Sequence, residues 1–492
     1  MRAVYHGVAD LYCYFFELGV KLLKSGGRMG YISSSTFFKT GSGEPLRRYL
    51  LEETQLRTVV DFGDLQVFEG VTTYPAIVVL EKTTHPVIPC HPRESGGQAG
   101  MTNTLSYLNL KTLPADGLSV AFTQQVQTMQ QSRLNSGSWQ MESDARGQLR
   151  DKLTLNHSTL KQVYGSPLYG IKTGFNEAFV IDRATRDALI AEDPKSADLL
   201  KPFLEGKDLK KWRAESQDLW LILCPKGWTR KQSGLSDEAQ AQVWMQTHYP
   251  ALMRRFVPFE IAARKRGDKG EFWWELRTCA YYEAFENPKI VYTRFMAEPL
   301  FYLDTDQYYL NNALNIFPDV SYFELGILIS SVNWFFIRST ASLMSGGFFQ
   351  VHGHVLEKCP FPTASNSQRA EIATLAEACQ RAAEARRDTQ VAFRNRIADL
   401  APTPGIKLNT KLNNWWELDF AAFRAEIKKL YKQDIPLVER NDWEGYFNSQ
   451  RAIVVEHTAQ ITLQEAALNR VVYTLFDLTS DEIALIENVG EV

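Results

Sequence analysis

Between residues 10 and 82 the apolar residues switch period, and that switch constrains the fold more than any other feature. Leu11, Tyr14, Phe15, Leu18 and Leu22 recur at helical spacing. Gly26-Gly27 then stops the helix, and residues 28–33 read as a strand. Residues 45–53 return to helix, while 56–61 and 76–81, rich in Val and Ile, read as strands. Helices alternating with buried strands bury both only in layers, so this stretch is α/β.

The rest of the chain has a different character. Residues 85–100 are rich in Pro and Gly and read as a loop or insertion. His85, Cys90 and His91 lie there, but with no fourth ligand placed beside them a surface loop is the expected reading. From about 160 to 362, Trp and Tyr become frequent, and short strands and turns predict an α+β domain. Residues 168–181 read as strand, turn, strand around Lys172-Thr173-Gly174, and residues 323–337 read as one helix. A helical pattern fills 366–400, about 50 Å long at the α-helical rise. Its expected role is a spacer, with a coiled-coil dimerisation helix as the alternative. Amphipathic helices are expected at 420–431 and 465–476 in the tail.

Composition narrows the function classes. With 492 residues, 45% of them hydrophobic, the chain can build several cores. A formal net charge of −3 excludes a uniformly basic nucleic-acid binder but not a local basic face. Two stretches supply one: residues 201–213 hold five Lys/Arg against two Asp/Glu, and 254–277 hold seven against four. No two of the six Cys form a Cys-x-x-Cys pair, so structural zinc is not expected, and reduced thiols fit a cytoplasmic protein. The first apolar run is broken by Glu17, Lys21 and Lys24, so no membrane partner is expected.

Two groups of motifs carry a resemblance. In the first 82 residues these are Asp10-Leu11-Tyr12, Gly26-Gly27 with Gly30-Tyr31-Ile32, Val59-Val60-Asp61-Phe62-Gly63, and Val67-Phe68-x-x-Val71-x-Thr73-x-Pro75-Ala76. Between 160 and 362 they are Gly170-Ile171-Lys172-Thr173-Gly174-Phe175-Asn176, Gly206-x-Asp208-Leu209, Asn287-Pro288-Lys289, Asn311-Asn312, and Gly346-Gly347 before Cys359-Pro360-Phe361-Pro362. In this order the motifs resemble the back half of the TaqI-like adenine DNA methyltransferases, which include single-chain restriction–modification enzymes. The resemblance implies four parts: residues 1–84 as the later strands of a Rossmann-like methyltransferase sheet, 85–159 as insertion and linker, 160–362 as the target-recognition domain, and 363–492 as helical spacer and tail.

The resemblance also implies chemistry. Such enzymes flip the target adenine out of the duplex, and an aromatic ring stacks on it. Phe68 stands at that stacking position. The catalytic Asn-Pro-Pro-Tyr of the family occurs nowhere in the 492 residues. Its glycine-rich cofactor loop is expected upstream. The complete enzyme would use S-adenosylmethionine, whereas none is expected on the isolated chain, and a separately encoded N-terminal half is the implied partner. Double-stranded DNA is the implied ligand. Lys172, Thr173, Asn176, Arg264, Lys265, Arg266, Lys289 and Arg294 are its expected contacts, with Arg230 and Lys231 as further base-reading candidates. The alternative is a stand-alone DNA-binding module or an inert remnant. Asp419 with Glu426-Ile427-Lys428 mimics a nuclease motif but falls on one predicted helix, so no nuclease is expected.

Overall fold

In the computed structural model, which describes residues 3–70, 73–83, 104–344, 346–403 and 405–488, the period switch becomes a five-stranded sheet. Helix α1 (Leu11–Leu22) is capped by Asp10, whose side chain accepts from the Leu11 amide at 2.7 Å. Gly26 takes φ +73° to turn the chain into β1 (Arg28–Ser34). Helix α2 (Glu44–Glu53) leads to β2 (Thr54–Asp61), and a loop to β3 (Pro75–Lys82). Strand β3 lies between β1 and β2, antiparallel to both, with Ile77 opposite Ile32 and Val60.

Residues read as linker complete this sheet. Strand β4 (Thr104–Asn109) runs parallel to β2, and β5 (Gln127–Gln130) pairs with β4, giving the order β1-β3-β2-β4-β5. The candidate ligands His85, Cys90 and His91 lie outside the described residues, as does Val71 of the Phe68 motif.

Helix α1 buries a different face from the one its leucines suggest. Cys13, Phe16, Glu17 and Val20 face the core, while Leu11 and Leu22 are 70% and 77% exposed, with Phe15 and Leu18 exposed between them.

The second region packs two four-stranded sheets around aromatic cores. One joins Leu168–Tyr169, Lys289–Thr293, Phe301–Asp304 and Leu314–Pro318; the other joins Val180–Ile181, Leu200–Leu204, Leu219–Ile222 and Tyr309–Leu310. Every residue of Lys289–Thr293 and Phe301–Asp304 is buried. The expected hairpin over 168–181 is absent, because its two strands enter different sheets. Gly170 is required at the crossing point, where a Cβ would meet the Asn311 carbonyl oxygen at 1.9 Å. A three-stranded sheet, in the order β6 (Phe295–Met296), β8 (Phe348–Gln350), β7 (Ser342–Met344), projects from this region. The helix expected at 323–337 is two helices, Tyr322–Ile329 and Ser331–Thr340, because Ser330 leaves helical geometry and caps the second.

The tail is built on helix α3 (Asn366–Asp399) packed along helix α4 (Arg440–Leu475), which is far longer than the 465–476 stretch expected. Ile372, Ala376, Cys379 and Ala383 of α3 enter the core of the second region together with Leu468 and Val472 of α4. This apolar face of α3 is thus filled within the chain, which removes the coiled-coil dimer reading. At the far end Phe393 stacks on Trp415 at 4.0 Å amid Phe423 and Phe447. Asp419 caps the helix Phe420–Tyr431 and Glu426 pairs with Lys411, so both belong to this knot. No helix among the described residues is long and apolar enough to cross a membrane.

Candidate nucleic-acid interface

Where the carboxyl ends of β1 and β2 meet the segment between Arg338 and Gln350, a cavity of about 490 Å³ opens between the two regions. Ser35, Lys39, Asp61, Tyr74, Asn109 and Glu142 line it on one side; Arg338, Ser342, Met344 and Gln350 line it on the other. Lys39 crosses the seam, its Nζ donating to the Ala341 carbonyl at 3.0 Å. Burial lowers the Lys39 pKa against the pull of Asp61 and Glu142. Burial also raises both carboxyls, although the Gly63 amide donates to Asp61 Oδ1 at 3.0 Å and Arg150 pairs with Glu142. Desolvated titratable groups in a cleft are characteristic of functional sites. Sequence reading missed this group, because no local pattern links residues about 300 positions apart.

Phe68 sits on the loop between β2 and β3, its ring 45% exposed. Four residues earlier, Asp64 holds the tip of the three-stranded sheet, its Oδ2 accepting from the Gly346 amide at 3.0 Å.

The expected DNA contacts divide into two sets. Lys172 and Asn176 are exposed, as are Arg264, Lys265 and Lys231. Lys172 pairs with Asp268 at 2.7 Å, holding that carboxyl below its ordinary value. Arg264 pairs with Glu238 and Glu260, and Arg230 with Glu271 at 3.0 Å. Arg294 is half-buried and donates to the Asn312 carbonyl at 2.8 Å.

Three residues leave the set, for physical reasons. Lys289 is wholly buried, with its Nζ 2.5 Å from Asp304 and 2.6 Å from the Phe285 carbonyl, so its charge is neutralised inside the sheet. Arg266 is buried over the Phe179 ring and donates to the carbonyls of Thr173 at 2.7 Å, Trp273 at 2.8 Å and Glu275 at 2.9 Å. Thr173 is buried too, its Oγ1 bonded to Asn176 and accepting from the Phe175 amide at 3.2 Å. Arg266 and Thr173 therefore hold the Lys172–Asn176 loop in shape. Phe272, Trp273 and Trp274, which follow Arg264-Lys265-Arg266 in the chain, are core residues.

The glycine pair Gly26-Gly27 is committed to the fold. The Gly26 amide donates to the Lys82 carbonyl and the Lys82 amide to the Gly27 carbonyl, both at 2.9 Å. These groups do not fit a cofactor cradle.

Comparison with known proteins adds three family matches. Residues 1–68 match the Eco57I restriction-modification methylase model, 201–361 the TaqI-like C-terminal specificity domain, and 365–472 a domain of unknown function. The chain is 24% identical over 397 residues to the type II methyltransferase M.PaeR7I of Pseudomonas aeruginosa, covering 76% of this chain and 63% of that protein. It is 40% identical over 76 residues to the type II restriction enzyme and methyltransferase RM.Eco57I of Escherichia coli, covering 15% of this chain and 8% of the relative. It therefore spans less than two thirds of the length of these relatives. Among solved structures, the type IIL restriction-modification enzyme MmeI in complex with DNA shares the fold, with a TM-score of 0.51 at 10% identity, over 97% of this chain and 51% of that one.

Proposed function

We propose that this chain, which carries an Eco57I-type methylase segment followed by a TaqI-like specificity domain, recognises the DNA target of an adenine-N6 methyltransferase in a restriction–modification or related defence system. The observation that carries the reading is the specificity match over residues 201–361, in a region that faces the methylase segment across the cavity lined by Lys39, Asp61 and Glu142. The exposed Lys172, Asn176, Lys231, Arg264 and Lys265 are the candidate phosphate and base contacts, with the half-buried Arg294 a further one. Phe68 is the candidate stacking ring for the flipped adenine. We place the protein in the cytoplasm, where its described free thiols would stay reduced.

The sheet β1-β3-β2 is taken as the later part of a methyltransferase sheet, with β1 at its open edge. Beside that edge α1 presents Leu11, Phe15, Leu18 and Leu22 to solvent. We assign this face to the cofactor-binding part of the methyltransferase. S-adenosylmethionine would supply the methyl group in the complete enzyme. No transfer step is assigned to the groups of this chain.

The purified chain should bind random-sequence duplex DNA with an affinity that falls steeply with salt. Selection from a random pool should enrich one short sequence. Salt-insensitive binding, or a pool that stays unenriched, overturns the reading.

A further inference from the structure

The three-stranded sheet β6-β8-β7 has two unlike faces. Phe349, Met296 and Leu343 share one, and it packs inward, with Phe349 meeting Trp334 edge-on at 5.7 Å. Register places Phe295, Gln350, Phe348, Ser342 and Met344 on the other. There the rings of Phe295 and Phe348 are 42% and 45% exposed. Side chains at alternate strand positions stand roughly 7 Å apart, so Phe348 and Gln350 form a row with Phe295 beside Gln350. The buried inner face fixes this row in place.

Three features point to what covers it. An amide and a hydroxyl, from Gln350 and Ser342, lie among the rings, which suits a planar ligand with polar edges better than a dry protein contact. Arg294 immediately precedes Phe295, and its Nε is buried without a hydrogen-bond partner. The Gly346 tip is bonded to Asp64, on the loop that carries Phe68, and Ser342, Met344 and Gln350 also line the seam cavity. A ligand on this face therefore lies at the rim of the seam cavity.

We infer that Phe295 and Phe348, with Gln350 two residues on from Phe348 and opposite Phe295, form a stacking platform for an unpaired nucleobase of the target duplex. This rests on the DNA reading above. The platform is distinct from Phe68, which belongs to the other region. Flipping one base leaves its complement on the other strand unpaired, and an aromatic platform supplies a stacking contact to such a base whatever its identity.

The test uses the full chain and two short duplexes of one sequence, one fully paired and one with a single unpaired 2-aminopurine. Tighter binding of the second, with quenched 2-aminopurine emission, is expected. Phe348→Ala and Phe295→Ala should each weaken that binding roughly tenfold to a hundredfold. Phe348→Trp should restore it. The salt dependence should stay unchanged, because no phosphate contact is lost. Both alanine variants should still fold, read as a cooperative melt, because Phe295 and Phe348 are 42% and 45% exposed. If the unmutated chain binds neither duplex, the DNA reading itself fails. If it binds both and the alanine variants bind as it does, or if the quench survives in them, the platform alone is overturned. The platform is also overturned if the variants lose association with a protein partner while keeping the quench.

Discussion

The five-stranded unit and the aromatic region behind it solve the same burial problem to different degrees. In the aromatic region, strands such as Lys289–Thr293 are buried along their whole length, and the one cation among them meets its carboxylate inside. The five-stranded unit leaves a helix stripe of Leu11, Phe15, Leu18 and Leu22 in solvent, beside an edge strand. One region is closed by its own residues. The other is closed on one side and open on the other.

The hardest way to break the closed region is to remove a buried partner. Lys289→Ala leaves Asp304 buried and uncompensated, and should cost about 3–5 kcal/mol in chemical denaturation. Replacing both residues with apolar ones of similar volume should cost far less. Phe393→Ala in the helical knot should cost about 3–5 kcal/mol, read as an earlier unfolding step. Smaller effects should appear in pH. Burial raises Asp61, so its contribution is most favourable in acid and weakens as pH climbs through the ordinary carboxylate range, about pH 4, toward its folded value. Asp61→Asn should therefore raise the melting temperature at neutral pH. Asp434 is the opposite case: Arg424 lowers it, so its contribution is present above the ordinary carboxylate range and lost as pH falls through it. Asp434→Asn should lower the melting temperature at neutral pH and change little in acid. Least of all, Leu18→Glu with Leu22→Glu should shift the stability of the isolated chain by only about 0.5 kcal/mol. The same pair should abolish co-purification with a cofactor-binding half; unchanged co-purification removes that assignment.

Sequence served these regions unevenly. The elements of the first 82 residues were legible to within two residues, because glycine stops and Val/Ile runs are local signals. The buried side of α1 was not, because it depends on what packs there. In the second region the motifs were found but their roles were misjudged. A lysine in a strand looks the same whether it meets phosphate or, like Lys289, a carboxylate fifteen residues on. Arg266 and Thr173 were assigned by charge and polarity, which do not report burial. The seam cavity and the Phe295–Phe348 face were invisible, because each is assembled by pairing distant segments.

Helix α3 leaves the aromatic core near Ala383 and runs to Asp399, where the knot around Phe393 begins to close. At about 1.5 Å per residue that overhang is roughly 25 Å. Laid alongside a B-form duplex at about 3.4 Å per step, it is an outrigger some seven base pairs long.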